Sequence, residues 1–197
     1  MFYNRFVEER SRRIVETAVE LAEQGGFEAV RLRDVASHAG VALGTLYRRF
    51  RSKEDLLLAA LEQEIEDVRQ RFDRRPAEGA TPLERVNVFF QITTRALCRR
   101  PNLARALVRS VATGEPELTQ KVATFHTLME ELISAALRGE RLSESASPSE
   151  HERRIGFVLQ QVWFASLIGW SSGLHGQAAI VEQTSAAAEL LLAGPSS

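Results

Sequence analysis

Apolar residues recur at helical spacing along almost the whole chain, and no run alternates between apolar and polar residues as a half-buried strand does. The first predicted helix, from about Val7 to Gln24, carries an apolar stripe formed by Ile14, Ala18, Leu21 and Ala22. Gly25 and Gly26 are expected to stop it, because glycine adopts the left-handed cap conformation cheaply. The periodicity therefore predicts an all-α protein of about nine helices.

Start and stop signals place the other helices. A short helix near residues 33–38, a tight turn at 39–41 and a third helix at about 42–50 come first. Ser52 is expected to cap a fourth helix that runs to about Arg74. Thr81 and Glu84 predict a capping box at the start of the fifth helix, which ends before Pro101. Further helices are expected to about residue 113, to about residue 138, at 149–172 and at 178–193, followed by a frayed tail at 194–197.

The composition is that of an ordinary globular protein, with 26% charged residues and a net charge of -1. The single cysteine, Cys98, excludes a disulfide within the chain and favours a reducing compartment. The first residues lack the apolar core of a secretory signal, and no apolar run is long enough to span a bilayer. We therefore expect a cytoplasmic protein with no membrane partner.

Residues 31–53 hold six basic side chains and one acid, a local charge of +5 in a chain that is almost neutral overall. In the third helix, Ala42, Leu46 and Phe50 fall on the face expected to be buried. The opposite face presents Gly44, Tyr47, Arg48 and Arg51, with Leu43 and Thr45 at its margins. Such a surface suits a DNA groove, where Arg48 can read guanine and Leu43 can touch a thymine methyl.

Two alternatives accompany the basic residues. The basic segment can be merely a capped helical hairpin with a solvated arginine face. Arg10, Arg12 and Arg13 can be a solvated helix start or an arm that enters the minor groove.

The segments Val30–Ala36 and Gly40–Leu57, with the string Gly44-Thr45-Leu46-Tyr47 and the pair Ser52-Lys53, resemble the TetR-family signature. The resemblance implies that Thr45, Tyr47 and Lys53 contact the DNA backbone, and that Leu43, Gly44 and Arg48 lie near bases. Arg33 completes the predicted DNA-binding set. Arg31 and Ala42 depart from the family, which usually has Thr and often Ser there. Their loss as helix caps costs about 1 kcal/mol each.

The resemblance implies two domains: a helix-turn-helix DNA-binding domain at residues 1–55, with its motif at about 33–50, and an effector-binding and dimerisation domain at 56–197. The expected partners are a palindromic double-stranded operator and a second copy of the chain. The implied function is a ligand-responsive transcriptional regulator, most simply a repressor.

The second domain has bulky apolar residues at helical spacing, which can be plain core or the wall of an effector pocket. The predicted pocket residues are Phe89, Phe90, Thr93, Leu97, Phe125, Leu128, Met129, Trp163 and Phe164. Residues 79–87, 95–103 and 162–170 resemble sterol-catabolism repressors of the KstR type, which implies a hydrophobic acyl-CoA or steroid-like effector. Arg99, Arg100, Arg105 and Arg109 can receive a charged tail or be solvated surface.

Trp163 and Trp170 lie seven residues apart and share one helix face. The eighth helix is apolar on so many sides that we expect it to pack on a second subunit as well as on the core. The predicted dimer contacts are Trp170, Ala186 and Leu190; a bundle internal to one chain is the alternative.

Catalytic motifs are missing from the sequence. His151-Glu152 begins like a zinc-protease motif, but Ile155 stands where the second histidine belongs. The four histidines are far apart, and one cysteine cannot form a thiolate metal site. No enzyme activity, metal or cofactor is expected. A bundle that binds only proteins is a third possibility, but it leaves the basic segment unexplained.

Overall fold

The computed structural model describes the backbone of residues 2–193 and the side chains of residues 9–193. Within those ranges the chain forms α-helices and two short 3-10 turns, and no strand. The predicted all-α class is confirmed. The tail expected at residues 194–197 lies outside the described residues.

Nine α-helices cover most of this part of the chain. They are α1 (Phe2–Ala29), α2 (Leu32–His38), α3 (Leu43–Tyr47), α4 (Lys53–Arg74), α5 (Pro82–Cys98), α6 (Pro101–Ala112), α7 (Thr119–Arg138), α8 (Glu150–Ser171) and α9 (Gln177–Leu192). The predicted limits of α4 to α9 agree closely with these. No helix among the described residues is both long enough and apolar enough to traverse a bilayer.

The helical geometry of α1 breaks at Gly25 and Gly26, the latter with φ +67°. Residues up to Ala29 are helical again, so the predicted stop is a kink. Positive φ is inexpensive for glycine, and the kink leaves Phe27 buried.

The third helix is shorter than predicted. Ala42 is its N-cap in an extended conformation and offers no side-chain acceptor, and the helix ends at Tyr47. Leu46 and Phe50 are buried as predicted, Phe50 from outside the helix. Ala42 is exposed, so its predicted place on the buried face is wrong. Ala42 precedes the first helical residue, so the helical spacing that placed it on the face of Leu46 does not extend to it.

The cap of α5 also differs in detail. Thr81 Oγ1 accepts a hydrogen bond from the Glu84 N–H at 3.2 Å, as predicted. The Glu84 carboxylate, however, accepts from the N–H of Ala80 at 2.7 Å, one residue before the predicted partner. A reciprocal capping box is present instead at the start of α8, between Ser149 and Glu152.

The chain divides into two compact units. The first comprises residues up to 64 together with 100–119. The second comprises residues 65–99 together with the chain from 120 onward. Residues 1–55, expected as the DNA-binding domain, lie inside the first unit, which also contains α6.

In the first unit, α1 packs against α6 through small and branched apolar side chains. Glu23 of α1 also caps α6: its carboxylate accepts from the Leu103 N–H at 3.2 Å, and its backbone carbonyl accepts from the Asn102 amide at 2.9 Å. An anion at the positive end of a helix dipole is favourable. Glu23 thus supplies the N-cap acceptor that the side chain of Arg100 does not provide.

In the second unit, α9 packs against both α5 and α8. Its core is aromatic: Phe72 and Phe89 have ring centroids 4.9 Å apart, Phe89 and Phe90 5.2 Å, and Phe90 and Trp163 6.0 Å. The Trp163 indole N–H donates to Thr94 Oγ1 at 2.9 Å. Phe89, Phe90 and Trp163 of this series belong to the predicted effector pocket.

Candidate nucleic-acid interface and effector region

The motif between α2 and α3 is a tight turn centred on Gly40. Its φ of +64° is the left-handed conformation that favours glycine. The Val41 N–H closes the turn on the Ala36 carbonyl at 2.9 Å. Val35, Ala36 and Leu46 are buried and hold the two helices together. The predicted helix-turn-helix is therefore present in the first unit.

The outer face of α3 carries the predicted base-reading and backbone-contacting residues. Tyr47 is 52% exposed, a large fraction for an aromatic side chain, and Gly44 and Arg48 are also exposed. No atom lies within 4 Å of where a Cβ of Gly44 would stand, so its backbone is open to a close partner. Leu43 and Thr45 are half-buried at the margins, as expected.

Two predicted DNA-binding residues contact each other. Arg48, the C-cap of α3, donates through an Nη to Thr45 Oγ1 at 3.1 Å. The bond orients the guanidinium along the exposed face and leaves its other N–H groups available. Arg33 of α2 is likewise exposed.

Lys53 is held at the start of α4 by neighbours of its own unit. Its ammonium lies 3.3 Å from a Glu28 carboxylate oxygen and 3.8 Å from the centroid of the Phe27 ring. Arg109 of α6 approaches the same two residues, at 2.9 Å from Glu28 and 4.0 Å from the ring centroid. The hydrogen bond from Lys53, helped by both positive charges, lowers the pKa of Glu28.

The turn before α4 is fixed by two hydrogen bonds. Ser52 Oγ accepts from the Asp55 N–H at 3.1 Å, and the Asp55 carboxylate accepts from the Arg51 N–H at 2.9 Å. The predicted Ser52 cap is thus observed, and it holds the backbone at the point where Lys53 enters the helix.

The basic residues near the start of α1 differ in their contacts. Arg12 donates to Glu9 at 2.9 Å and to Glu16 at 2.7 Å, and these acids raise its pKa. Arg10 and Arg13 are exposed. Of the three, Arg12 is best described by the solvated alternative.

The nine predicted pocket residues all lie in the second unit. Phe89, Phe90, Thr93, Phe125, Met129 and Trp163 are buried, whereas Leu97, Leu128 and Phe164 are half-buried. Thr93 Oγ1 donates to the Phe89 carbonyl at 2.8 Å, so its hydroxyl proton is already used. The buried members form an aromatic wall with few polar groups.

One polar group in this interior was not predicted from the sequence. Gln160 of α8 is 0% exposed, and its Nε2 forms a 2.7 Å hydrogen bond with His126 Nδ1 of α7. Its Oε1 has no partner among the described residues. A buried carbonyl without a donor is costly, which makes it a natural contact for a ligand donor. Its position three residues before Trp163 on a buried helix face was the available signal.

The arginines suggested for a charged tail differ in their contacts. Arg100 pairs with Glu64 and Arg109 pairs with Glu28, both within the first unit. Arg105 and Arg99 are exposed, in the first and second units respectively. Two of the four arginines therefore already have acidic partners.

The outer faces of α8 and α9 expose large apolar side chains. Phe157 is 53% exposed and Leu190 is 82% exposed, and Val158 and Ile168 are exposed as well. Leu174, in the segment between the two helices, is also exposed. Of the predicted dimer contacts, Ala186 and Leu190 are exposed. Trp170 is only 7% exposed, because it faces the core of its own unit together with Trp163. Phe157 was not predicted from the sequence.

The described side chains contain no group of three or more histidines, cysteines or acids that could hold a metal ion. Cys98 is buried.

Comparisons with known proteins cover both units. A family model described as bacterial regulatory proteins, tetR family, matches residues 14–60. A second, described as Tetracyclin repressor-like, C-terminal domain, matches residues 79–191. The transcriptional repressor KstR of Rhodococcus jostii is 34% identical, covering 93% of this chain and 83% of that protein. KstR of Mycobacterium tuberculosis is 34% identical, with coverages of 82% and 71%.

Solved structures share the fold over nearly the whole length. A TetR transcriptional regulator from Rhodococcus sp. RHA1 has a TM-score of 0.81 at 28% identity, covering 96% of this chain and 100% of that one. Thermus thermophilus FadR, solved with lauroyl-CoA, has a TM-score of 0.73 at 22% identity, with coverages of 95% and 97%. The matched models and the KstR relatives establish that this chain belongs to the TetR family and is a DNA-binding transcriptional regulator.

Proposed function

We propose that this protein is a repressor that binds a palindromic operator as a homodimer and leaves it when a hydrophobic acyl-CoA or steroid-like compound binds the second unit. The observation that carries the proposal is the pairing of an exposed Tyr47–Arg48 face on α3 with an aromatic interior lined by Phe89, Phe90 and Trp163. The first reads DNA; the second suits a large apolar ligand.

On the operator, Arg48 contacts guanine edges and Leu43 a thymine methyl, while the open backbone of Gly44 allows close approach. Thr45, Tyr47, Lys53 and Arg33 contact the phosphate backbone and set the register. Two copies place their α3 helices in successive major grooves, about one helical turn apart.

The domain boundary we propose follows from these roles. Residues 1–55 form the DNA-binding domain, and residues 56–197 bind the effector and the second subunit. The dimer contact is the exposed apolar surface of α8 and α9, with Leu190, Ala186 and Phe157 as its anchors. Uncovered side chains of this size are typical of an interaction surface. Trp170 supports that surface from inside.

The effector class is supported by the relatives as well as by the interior. KstR is a transcriptional repressor whose sequence matches this chain over most of its length. Two FadR proteins of the same fold, at 22% and 20% identity, were solved with lauroyl-CoA and stearoyl-CoA. In this chain the unpartnered Oε1 of Gln160 would accept one hydrogen bond from the ligand. An apolar body held by one or two polar contacts matches such a site.

Release requires that the effector bind one conformation of the dimer more tightly than the other, since a ligand with equal affinity for both shifts nothing. The protein then acts in the cytoplasm, where its operator is, and needs no catalytic step.

A panel of compounds tests the effector class. Stearoyl-CoA and a steroid acid with its CoA thioester should raise the melting temperature and release labelled operator, whereas glucose and Mg²⁺ should do neither. Ligand at 100 times its dissociation constant adds about 2.7 kcal/mol to the free energy of unfolding. The Gln160→Leu variant should respond less than wild type. A shift produced only by small polar metabolites contradicts the proposed effector class.

A further inference from the structure

A groove of about 350 Å³ lies in the second unit, where the last turn of α4 and the following segment meet α5. Three arginines, Arg71, Arg74 and Arg75, line it, and Glu78 is the one acid among its lining residues. The other lining residues are Pro76, Val88 and Ile92. The groove therefore combines a net positive rim with an apolar floor.

The three guanidinium groups are not equally engaged. Arg75 donates through Nε and an Nη to Glu78, at 3.0 and 2.8 Å. Arg74 uses only its Nε, which donates to the Gln70 carbonyl at 3.1 Å. The guanidinium of Arg71 has neither a hydrogen bond nor an ion pair with any residue whose side chain is described. Two guanidinium groups at the groove thus have N–H donors and positive charge to offer.

Basic residues in the last turn of a helix favourably oppose its dipole, which accounts for Arg71 and Arg74 as helix residues. The dipole does not account for the arrival of Arg75 from beyond the helix at the same groove, or for the apolar floor. Val88 and Ile92 are one turn apart on α5 and half-buried.

The floor adjoins the aromatic interior. Phe89 and Thr93, the next residues after Val88 and Ile92, are buried. Phe72, the neighbour of Arg71, packs on Phe89 with ring centroids 4.9 Å apart. One face of α5 therefore lines the cationic groove, and the adjacent face packs in the aromatic interior. A ligand with an anionic head and an apolar tail matches this order of surfaces.

We propose that the Arg71–Arg74–Arg75 groove binds the phosphate groups of the effector, so that the protein distinguishes a phosphorylated thioester conjugate from the corresponding free acid. The inference rests on the proposed function for the apolar tail. A guanidinium binds two phosphate oxygens at once through its planar fork, which is why arginine suits this role. Arg100 and Arg109, suggested from sequence, are already paired with acids in the first unit.

The test compares four probes on the full-length protein by isothermal titration calorimetry: stearoyl-CoA, stearate, coenzyme A without an acyl chain, and inorganic pyrophosphate. The variant is Arg71→Ala with Arg74→Ala. The matched control is Arg95→Ala with Arg154→Ala, which removes two exposed arginines of the same unit that do not line the groove.

We expect the groove variant to bind stearoyl-CoA about tenfold more weakly than wild type, as the loss of a charge-assisted contact implies, and to lose coenzyme A binding. Stearate affinity should not change, and the control should match wild type with every probe. Circular dichroism spectra that match the wild-type spectrum would show that both variants fold.

Three results overturn the inference. The groove variant binds coenzyme A and stearoyl-CoA as tightly as wild type does, the control variant loses coenzyme A binding, or wild type binds pyrophosphate as tightly as coenzyme A. If stearate does not bind the wild type and stearoyl-CoA binds it no more tightly than coenzyme A, while coenzyme A binding still depends on the groove, the proposed apolar effector class is wrong and the anion site stands.

Discussion

The Lys53 ammonium lies 3.3 Å from a Glu28 carboxylate oxygen, so a cation assigned to a DNA phosphate already has an anionic partner on α1. Glu28 is mostly exposed, and it also pairs with Arg109. Exposed pairs contribute little to stability, but a carboxylate beside a phosphate-binding lysine opposes DNA binding by charge repulsion. This geometry leads to the first prediction.

Glu28→Gln should bind operator DNA more tightly than wild type, by roughly two- to fivefold at moderate salt, because one repulsive charge is removed. The free energy of unfolding should hardly change. Fluorescence anisotropy at fixed ionic strength measures the operator affinity, and urea titration measures the free energy of unfolding. Glu20→Gln removes an exposed acid from the same helix and should behave as wild type. Weaker binding by Glu28→Gln would mean that Glu28 positions Lys53 for DNA.

The Trp163–Thr94 hydrogen bond should couple the two residues energetically, since both are buried. Trp163→Phe leaves the Thr94 hydroxyl without this donor and should cost about 1–3 kcal/mol, and Thr94→Val likewise strands the indole N–H. The double variant should cost clearly less than the sum of the single costs. Urea unfolding of all four proteins measures this, and simple additivity would refute the coupling.

The apolar surface of α8 and α9 should control the oligomeric state. Phe157→Glu and Leu190→Glu each place an unpaired charge in the proposed interface, and both should shift the protein to monomers. Trp170→Glu should give unfolded or insoluble protein instead, because Trp170 faces its own core. Gln91→Glu adds the same charge to an exposed site on α5 and should remain dimeric. Sedimentation at micromolar concentration measures the oligomeric state of each variant. If the Phe157→Glu and Leu190→Glu variants both remain dimeric, this interface is excluded.

Glu152 should make stability depend on pH. Arg138 donates to its carboxylate at 2.6 and 2.5 Å, and these bonds lower the pKa of Glu152 to about 2 from an ordinary 4.5. A depressed carboxylate pKa gives stability that is complete above about pH 4.5 and is lost as the pH falls toward 2. The contribution is on the order of 2 kcal/mol after allowance for partial exposure.

Glu152→Gln tests this contribution, because it removes the charge and retains an oxygen for the Ser149 N–H. Its deficit in unfolding free energy should be largest near pH 7 and should shrink as the pH is lowered below 4.5. A deficit that stays constant between pH 7 and pH 3 would show that the ion pair is not its source.

Local signals explain why much of the fold was predictable. Ser52 and Thr81 mark helix starts by hydrogen bonds that involve only neighbouring residues, and Pro101 marks another start. The outward face of α3 was also predictable, since it follows from helical period alone.

Other features depend on residues far apart in sequence. The groove at Arg71 exists only because the end of α4 meets α5, and the Gln160–His126 bond joins α7 to α8. The buried position of Trp170 reflects which of several apolar faces of α8 its own unit covers. Periodicity identifies such faces without telling which one meets the core and which remains exposed.

The central claim, that the α3 face reads an operator, is tested most directly by the affinity of wild type and Arg48→Ala for a duplex selected from a random DNA pool and for its single-base variants. The account predicts a palindromic selected sequence with half-sites about one helical turn apart. It also predicts that Arg48→Ala loses about 1–3 kcal/mol of discrimination at one base position in each half-site. Failure to enrich any sequence, or unchanged discrimination at every position in Arg48→Ala, would contradict it.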